Sequence, residues 1–257
     1  MALCMIASVG GAGSAGAQSL WDDPAFALYR QALEALDRKD YARAGLLARE
    51  AIAQYPGHVL AHYVEGQAAL AQGKWDEAVT AFTKVGHLYP GSFAARRDLG
   101  VALEQLGRIE DAANAFDAAL ALRPDIEDVR VRLAFMLLQA NQRDRAVPHL
   151  QALADRQTKL PEVWSALGRV YYERGDLAGS QKAFSRAVEL REDGKSWFNL
   201  AVVRLRLGDQ DGALKAFERA ARDPDLRAQA TREIGRLREQ RKAPEPSRGG
   251  MEPSQRR

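Results

Sequence analysis

From residue 25 to about residue 240, apolar side chains recur three and four positions apart, the spacing that sets them on one face of a helix. In GKWDEAVTAFTKVGHLYP (73–90), Ala78, Phe82 and Val85 follow Trp75 at that spacing. Gly73 stands ahead of the run and Tyr89-Pro90 closes it. Polar and charged residues fill the remaining positions. Strand formers never alternate with polar residues over the length of a strand, so the pattern predicts helices throughout. Glycine suits the left-handed turn that ends one helix, and proline stops the next.

The same fixed points return at a period of 34. Gly66, Ala78, Phe82 and Pro90 become Gly100, Ala112, Phe116 and Pro124. They continue as Ala134, Ala146 and Leu150, then Gly168, Ser180 and Phe184, and after one deletion Ala201, Ala213 and Phe217. One step backwards gives Ala32, Ala44, Ala48 and Pro56. Six units emerge: 25–58, 59–92, 93–126, 127–160, 161–193 and 194–227. In each, a small residue on a first helix faces a small residue on a second, and a large side chain four positions on fills the space towards the next unit. Gly73, Gly107, Gly175 and Gly208, with Asn141 in the fourth unit, occupy the turn between the helices. A unit of this size cannot bury its apolar face alone, and stacking buries all of them.

WSALGRVYYERGDLAGSQKAF, with Trp164, Leu167, Gly168, Tyr171 and Phe184 in register, resembles the tetratricopeptide repeat, a helix–turn–helix unit of 34 residues. The resemblance implies an all-α, right-handed α-solenoid. The fourth unit departs from the pattern. It lacks the glycine and the phenylalanine, and Pro148 stands inside its second helix, where it removes a backbone hydrogen bond. The fifth and sixth units lack the closing proline.

The flanks read differently. MALCMIASVGGAGSAGA (1–17) is an apolar stretch running into small residues, with Ala15-Gly16-Ala17 as a cleavage site of the kind that ends a signal peptide. No Lys or Arg precedes the apolar stretch. Residues 18–24 form a short lead-in in which Asp23-Pro24 reads as an N-cap and first helical position. Leu226, Ala230, Ile234 and Leu237 predict a capping helix over 228–240, and 241–257 is a Pro-, Gly- and charge-rich tail of disordered composition.

Charge and chemistry narrow the function. Hydrophobic residues make up 46% of the 257 and charged residues 28%, as in a globular protein. The net charge of +3 lies wholly in 241–257, which carries five basic and two acidic side chains. Residues 18–240 balance, so no basic cluster predicts nucleic-acid binding. Cys4, the single cysteine, cannot form an intramolecular disulfide, and no zinc-binding CxxC exists. No apolar run of ~20 residues predicts a membrane span. His58 and His62 lack the acidic partner of a metal motif. Gly-rich residues 10–16 follow no strand, and Asp125, Glu127 and Asp128 read as helix-capping charges. The expectation is of no catalytic set, no metal and no cofactor.

In the resembling family, the groove lined by first helices, or its edges, binds peptide segments or partner domains. Here the first helices carry a second stripe at spacings of three, four and three. It selects Tyr29, Tyr63, Gln67, Arg97, Phe135, Arg169, Tyr172 and Phe198 as candidate groove residues. The apolar members serve equally to pack neighbouring first helices. Polar tips such as those of Tyr63, Gln67, Arg97, Arg169 and Tyr172 suit a wet recognition surface. The basic and amide set with which some members hold a chaperone's carboxylate is absent, since Tyr29, Leu33, Tyr63 and Gln67 occupy its places. The resemblance and the leader together imply a non-enzymatic protein–protein interaction scaffold with a protein or peptide partner, exported to a bacterial cell envelope or periplasm. A cytoplasmic scaffold and a substrate-holding subunit of an envelope enzyme complex are the other two readings.

Overall fold

The structure, a computed structural model, describes residues 23–242. The expected signal peptide, the start of the lead-in and the tail beyond residue 242 lie outside the described residues. Thirteen helices occupy the described span, with no strand among them. They are α1 (Pro24–Asp37), α2 (Tyr41–Gln54), α3 (Val59–Ala71), α4 (Trp75–Leu88), α5 (Phe93–Gln105), α6 (Ile109–Leu122) and α7 (Glu127–Gln139), followed by α8 (Arg143–Asp155), α9 (Pro161–Glu173), α10 (Leu177–Leu190), α11 (Gly194–Arg206), α12 (Gln210–Ala220) and α13 (Arg227–Lys242). The chain forms two compact bodies that divide after Ala140. The amino-terminal body holds α1–α7 and the carboxy-terminal body α8–α13. Within each, every helix packs on the next in chain order. This is the all-α solenoid of tandem helix pairs that the periodicity predicts. The division falls inside the fourth repeat, the one in which Ala134, Leu150 and Pro148 depart from the pattern.

Local chemistry sets the helix ends. Asp23 accepts a hydrogen bond from the Ala25 amide at 2.8 Å, and Pro24 follows at the first helical position. Asp40, Ser92, Asp176, Asp193 and Asp209 cap later helices in the same way. Gly73, Gly107, Gly175, Gly208 and Asn141 all have positive φ, as the turns between helices require. Lys39, 34 residues before Gly73, holds the same left-handed position at φ 62° despite its Cβ.

Packing explains the repeating glycine. A Cβ on Gly66 would lie 2.6 Å from the Phe82 ring, and one on Gly100 or Gly168 would lie 2.8 Å from Phe116 or 2.9 Å from Phe184. These rings, with Phe217 and Leu150, are fully buried. Ser180, which replaces the second small residue in the fifth repeat, donates its buried hydroxyl to the Gly168 carbonyl at 2.8 Å. Helix α13 lays Ala230, Ile234 and Leu237 on the core around Phe217 and runs two residues into the stretch expected as tail.

A second device recurs with changing chemistry. The fourth position of successive first helices ties down a carbonyl six residues earlier, in the turn from the preceding repeat. His62 Nε2 lies 3.0 Å from the Pro56 oxygen, and Arg96 donates to Pro90 at 2.8 Å. Arg130 donates to Pro124 at 3.0 Å, and Trp164 donates to Thr158 at 2.9 Å. At Trp197, where the spacing shortens by one residue, the buried indole N–H has no partner among the described residues.

The turn into α3 contains a titratable cap. His58 is 8% exposed, and its Nδ1 accepts the Ala61 amide at 3.2 Å, so the ring must be neutral there. Phe26, Tyr29 and Tyr55 surround it. Burial pushes its pKa below the ordinary value of 6.5, with His62 acting in the same direction and Asp23 opposing. The unfolded chain therefore takes up this proton at higher pH than the folded chain. The contribution to stability is complete above about pH 6.5 and is lost as the pH falls from there towards the folded pKa. The thermal midpoint is expected to fall between pH 7.5 and 5.5. His58→Asn, which keeps an N-cap acceptor that does not titrate, should reduce that fall. Equal pH slopes for the two proteins would contradict this role.

Candidate functional site

The eight candidate residues all lie on first helices, but the structure treats them differently. Tyr29 is only 6% exposed, with its ring 5.6 Å from Phe26 and 5.2 Å from His58, and burial raises its hydroxyl pKa. It is part of the core. Phe135 is half-buried on α7. Phe198 is half-buried on α11 and packs edge-on against the buried Phe217 at 5.2 Å.

In the amino-terminal body, Tyr63, Gln67 and Arg97 converge on a residue that the stripe omits. Asp98 on α5 is 5% exposed. The Tyr63 hydroxyl donates to its Oδ2 at 2.7 Å, and Arg97 Nε donates to its Oδ1 at 2.7 Å. Gln67 Nε2 in turn donates to the Tyr63 oxygen at 3.2 Å. Burial, with the Asp98 carboxylate beside it, raises the Tyr63 pKa, and the hydrogen bond to Asp98 raises that of Arg97. The charge on Asp98 is satisfied by two directed donors, as a buried carboxylate requires. The Tyr63–Asp98 hydrogen bond thus joins the second and third repeats, with Gln67 engaged at one end of it and Arg97 at the other.

In the carboxy-terminal body the candidates Arg169 and Tyr172 are not engaged in this way. Arg169 is exposed on α9 and Tyr172 is half-buried one turn later. With Glu173, Phe184, Asn199, Val202 and Val203 they line an open cavity of about 80 Å³ between α9 and α11. No hydrogen bond or ion pair engages the side chains of Arg169, Tyr172 or Asn199 among the described residues. Glu173 is held by Arg143 at 2.8 Å. Beside the cavity, Ser165 and Ser196 share a hydrogen bond of 2.7 Å, and Ser196 donates to Asp193 at 2.6 Å. Asn199 also escaped the stripe. It occupies the same repeat position as Asp98, one residue past the line that the three–four–three spacing selects. The period itself connects these two residues.

No group of three or more His, Cys, Asp or Glu side chains that could hold a metal occurs among the described residues. No helix among them is long and apolar enough to cross a membrane.

The fold and this face define an all-α repeat protein with a recess of side-chain size between two first helices. Tetratricopeptide-repeat family models match residues 29–92, 63–125, 165–231 and 198–245, and a second such model matches 103–170. The chain belongs to the tetratricopeptide repeat family. Among curated proteins it is similar to Protein FlbA of Caulobacter vibrioides, with 29% identity over 76% of this chain and 33% of that protein. It is also similar to the general transcriptional corepressor ssn6 of Schizosaccharomyces pombe, with 29% identity over 48% of this chain and 12% of that protein. The chain thus spans a third or less of the length of these relatives. Among solved structures, YrrB, described as a TPR protein with an unusual peptide-binding site, matches 76% of this chain and 98% of its own at a TM-score of 0.57 and 16% identity. MamA from Desulfovibrio magneticus RS-1 matches 69% of this chain and 95% of its own at 0.52 and 23% identity. At these identities the likeness is one of fold.

Proposed function

We propose that this protein is a non-enzymatic interaction module whose carboxy-terminal body holds a segment of another protein on the face formed by α9 and α11. The observation that carries this is the cavity rimmed by Arg169, Tyr172 and Asn199, three polar side chains with no hydrogen-bond or ion-pair partner among the described residues. A hydrogen-bonding group left free beside an apolar recess gains most from a partner that supplies its complement. The peptide-binding site named for YrrB supports the same use of the fold. The amino-terminal body supplies the contrast, because Tyr63 and Arg97 are engaged by Asp98 and Gln67 is engaged by Tyr63. With a partner found by crosslinking in cells, Arg169→Ala with Asn199→Ala is expected to weaken binding at least about tenfold, ~1.4 kcal/mol, with helicity unchanged. Lys84→Ala with Lys182→Ala, on exposed positions of α4 and α10, should leave it unchanged. The reverse outcome would move the interface to the second helices.

Residence in the bacterial cell envelope is part of the same proposal and rests on the Ala15-Gly16-Ala17 sequence. The intact mass of the natively expressed protein is expected to correspond to a chain that begins at Gln18. Retention of residues 1–17 on a protein found in the cytosol would assign it to a cytoplasmic scaffold.

A further inference from the structure

We infer that the segment held between α9 and α11 is acidic, with a carboxylate next to one aliphatic side chain; this rests on the binding face proposed above. The floor of the cavity is apolar, formed by Phe184, Val202 and Val203. Its volume of about 80 Å³ suits the bulk of a single aliphatic side chain. It lies far below the roughly 300 Å³ at which small-molecule sites begin, so a side chain is the better-sized occupant. The rim sets the sign of the neighbouring charge. Arg169 presents a planar guanidinium, which pairs best with a carboxylate, and the Asn199 amide can donate beside it. The one carboxylate on the rim, Glu173, is bound by Arg143 at 2.8 Å and leaves Arg169 to a ligand. A basic residue at this point would face Arg169 unpaired.

The wider charge distribution agrees. Residues 141–242 carry 21 Lys and Arg against 15 Asp and Glu, whereas residues 23–140 carry 13 against 16. The balance of the repeats as a whole therefore conceals an acidic amino-terminal body and a basic carboxy-terminal one. Most of the excess of the carboxy-terminal body lies on α13, but α9 and α11 together still carry Arg169, Lys195, Arg204 and Arg206 against Glu162 and Glu173, a balance that favours the approach of an acidic segment over a basic one.

Panning a random peptide library against the full chain tests this, with the affinities of the selected peptides then measured for the unaltered protein and for Arg169→Ala. The expected binders are enriched in Asp or Glu next to a single Leu, Ile or Val. They should lose at least tenfold in affinity on Arg169→Ala or on exchange of their Glu for Gln, and should weaken as salt rises. Binders without an acidic bias that still depend on Asn199 and Tyr172 would overturn the acidic assignment and leave the binding face standing. Binders indifferent to Arg169→Ala, Asn199→Ala and Tyr172→Ala, or a library that yields no binder, would overturn both.

Discussion

Ala112→Arg is expected to unfold the amino-terminal body. Ala112 is 0% exposed on α6, the helix that pairs with α5. The repeat period puts it where the two helices come closest, beside Gly100 and Phe116. An arginine there must either bury its guanidinium between the two helices or push them apart. Either costs several kcal/mol, against a total of roughly 5–15 kcal/mol for a domain. Circular dichroism melting should show loss of helicity at ambient temperature or a large drop in the midpoint. An unchanged midpoint would mean that the register of the third repeat is wrong.

Gly100→Leu is expected to be nearly as damaging, and its damage should be reversible by a second change. The added Cβ would lie 2.8 Å from the Phe116 ring, which is 0% exposed and has nowhere to retreat. Overpacking of this kind costs about 1–3 kcal/mol or more, which outweighs the ~1 kcal/mol that a helix gains on losing a glycine. Phe116→Ala alone leaves a cavity and costs about 3–5 kcal/mol. Together the two changes move bulk from α6 to α5 and keep the sum of volumes close to the original. The double variant should therefore be less destabilised than the two single effects added, by at least ~1 kcal/mol in a denaturant cycle. Strict additivity would show that the ring does not pack on that glycine.

The repeat was legible because each unit solves one packing problem with one residue pair, and glycine under phenylalanine survives at three of the six places. The left-handed turns were legible wherever Gly or Asn marks them, whereas Lys39 carries the same backbone with no local sign. The turn ties were hidden, because His62, Arg96, Arg130 and Trp164 share only the ability to donate a hydrogen bond. The face between α9 and α11 was legible through Arg169 and Tyr172. Asp98 and Asn199 were not, since a stripe chosen for amphipathic spacing passes one residue to the side of both. Nor could the pattern tell that the tip of Tyr63 meets the Asp98 carboxylate on a neighbouring helix. That contact depends on the angle between α3 and α5, which only the assembled body determines.

The most direct test of the central claim is position-resolved photo-crosslinking in the native cell, with a photoreactive residue placed singly at Tyr172, Lys195, Tyr63 and Lys182. The account predicts that Tyr172 and Lys195 attach to the same protein segment, and that Lys182, exposed on α10, attaches to none. Capture of that segment from Lys182 or Tyr63, with none from Tyr172 or Lys195, would contradict it.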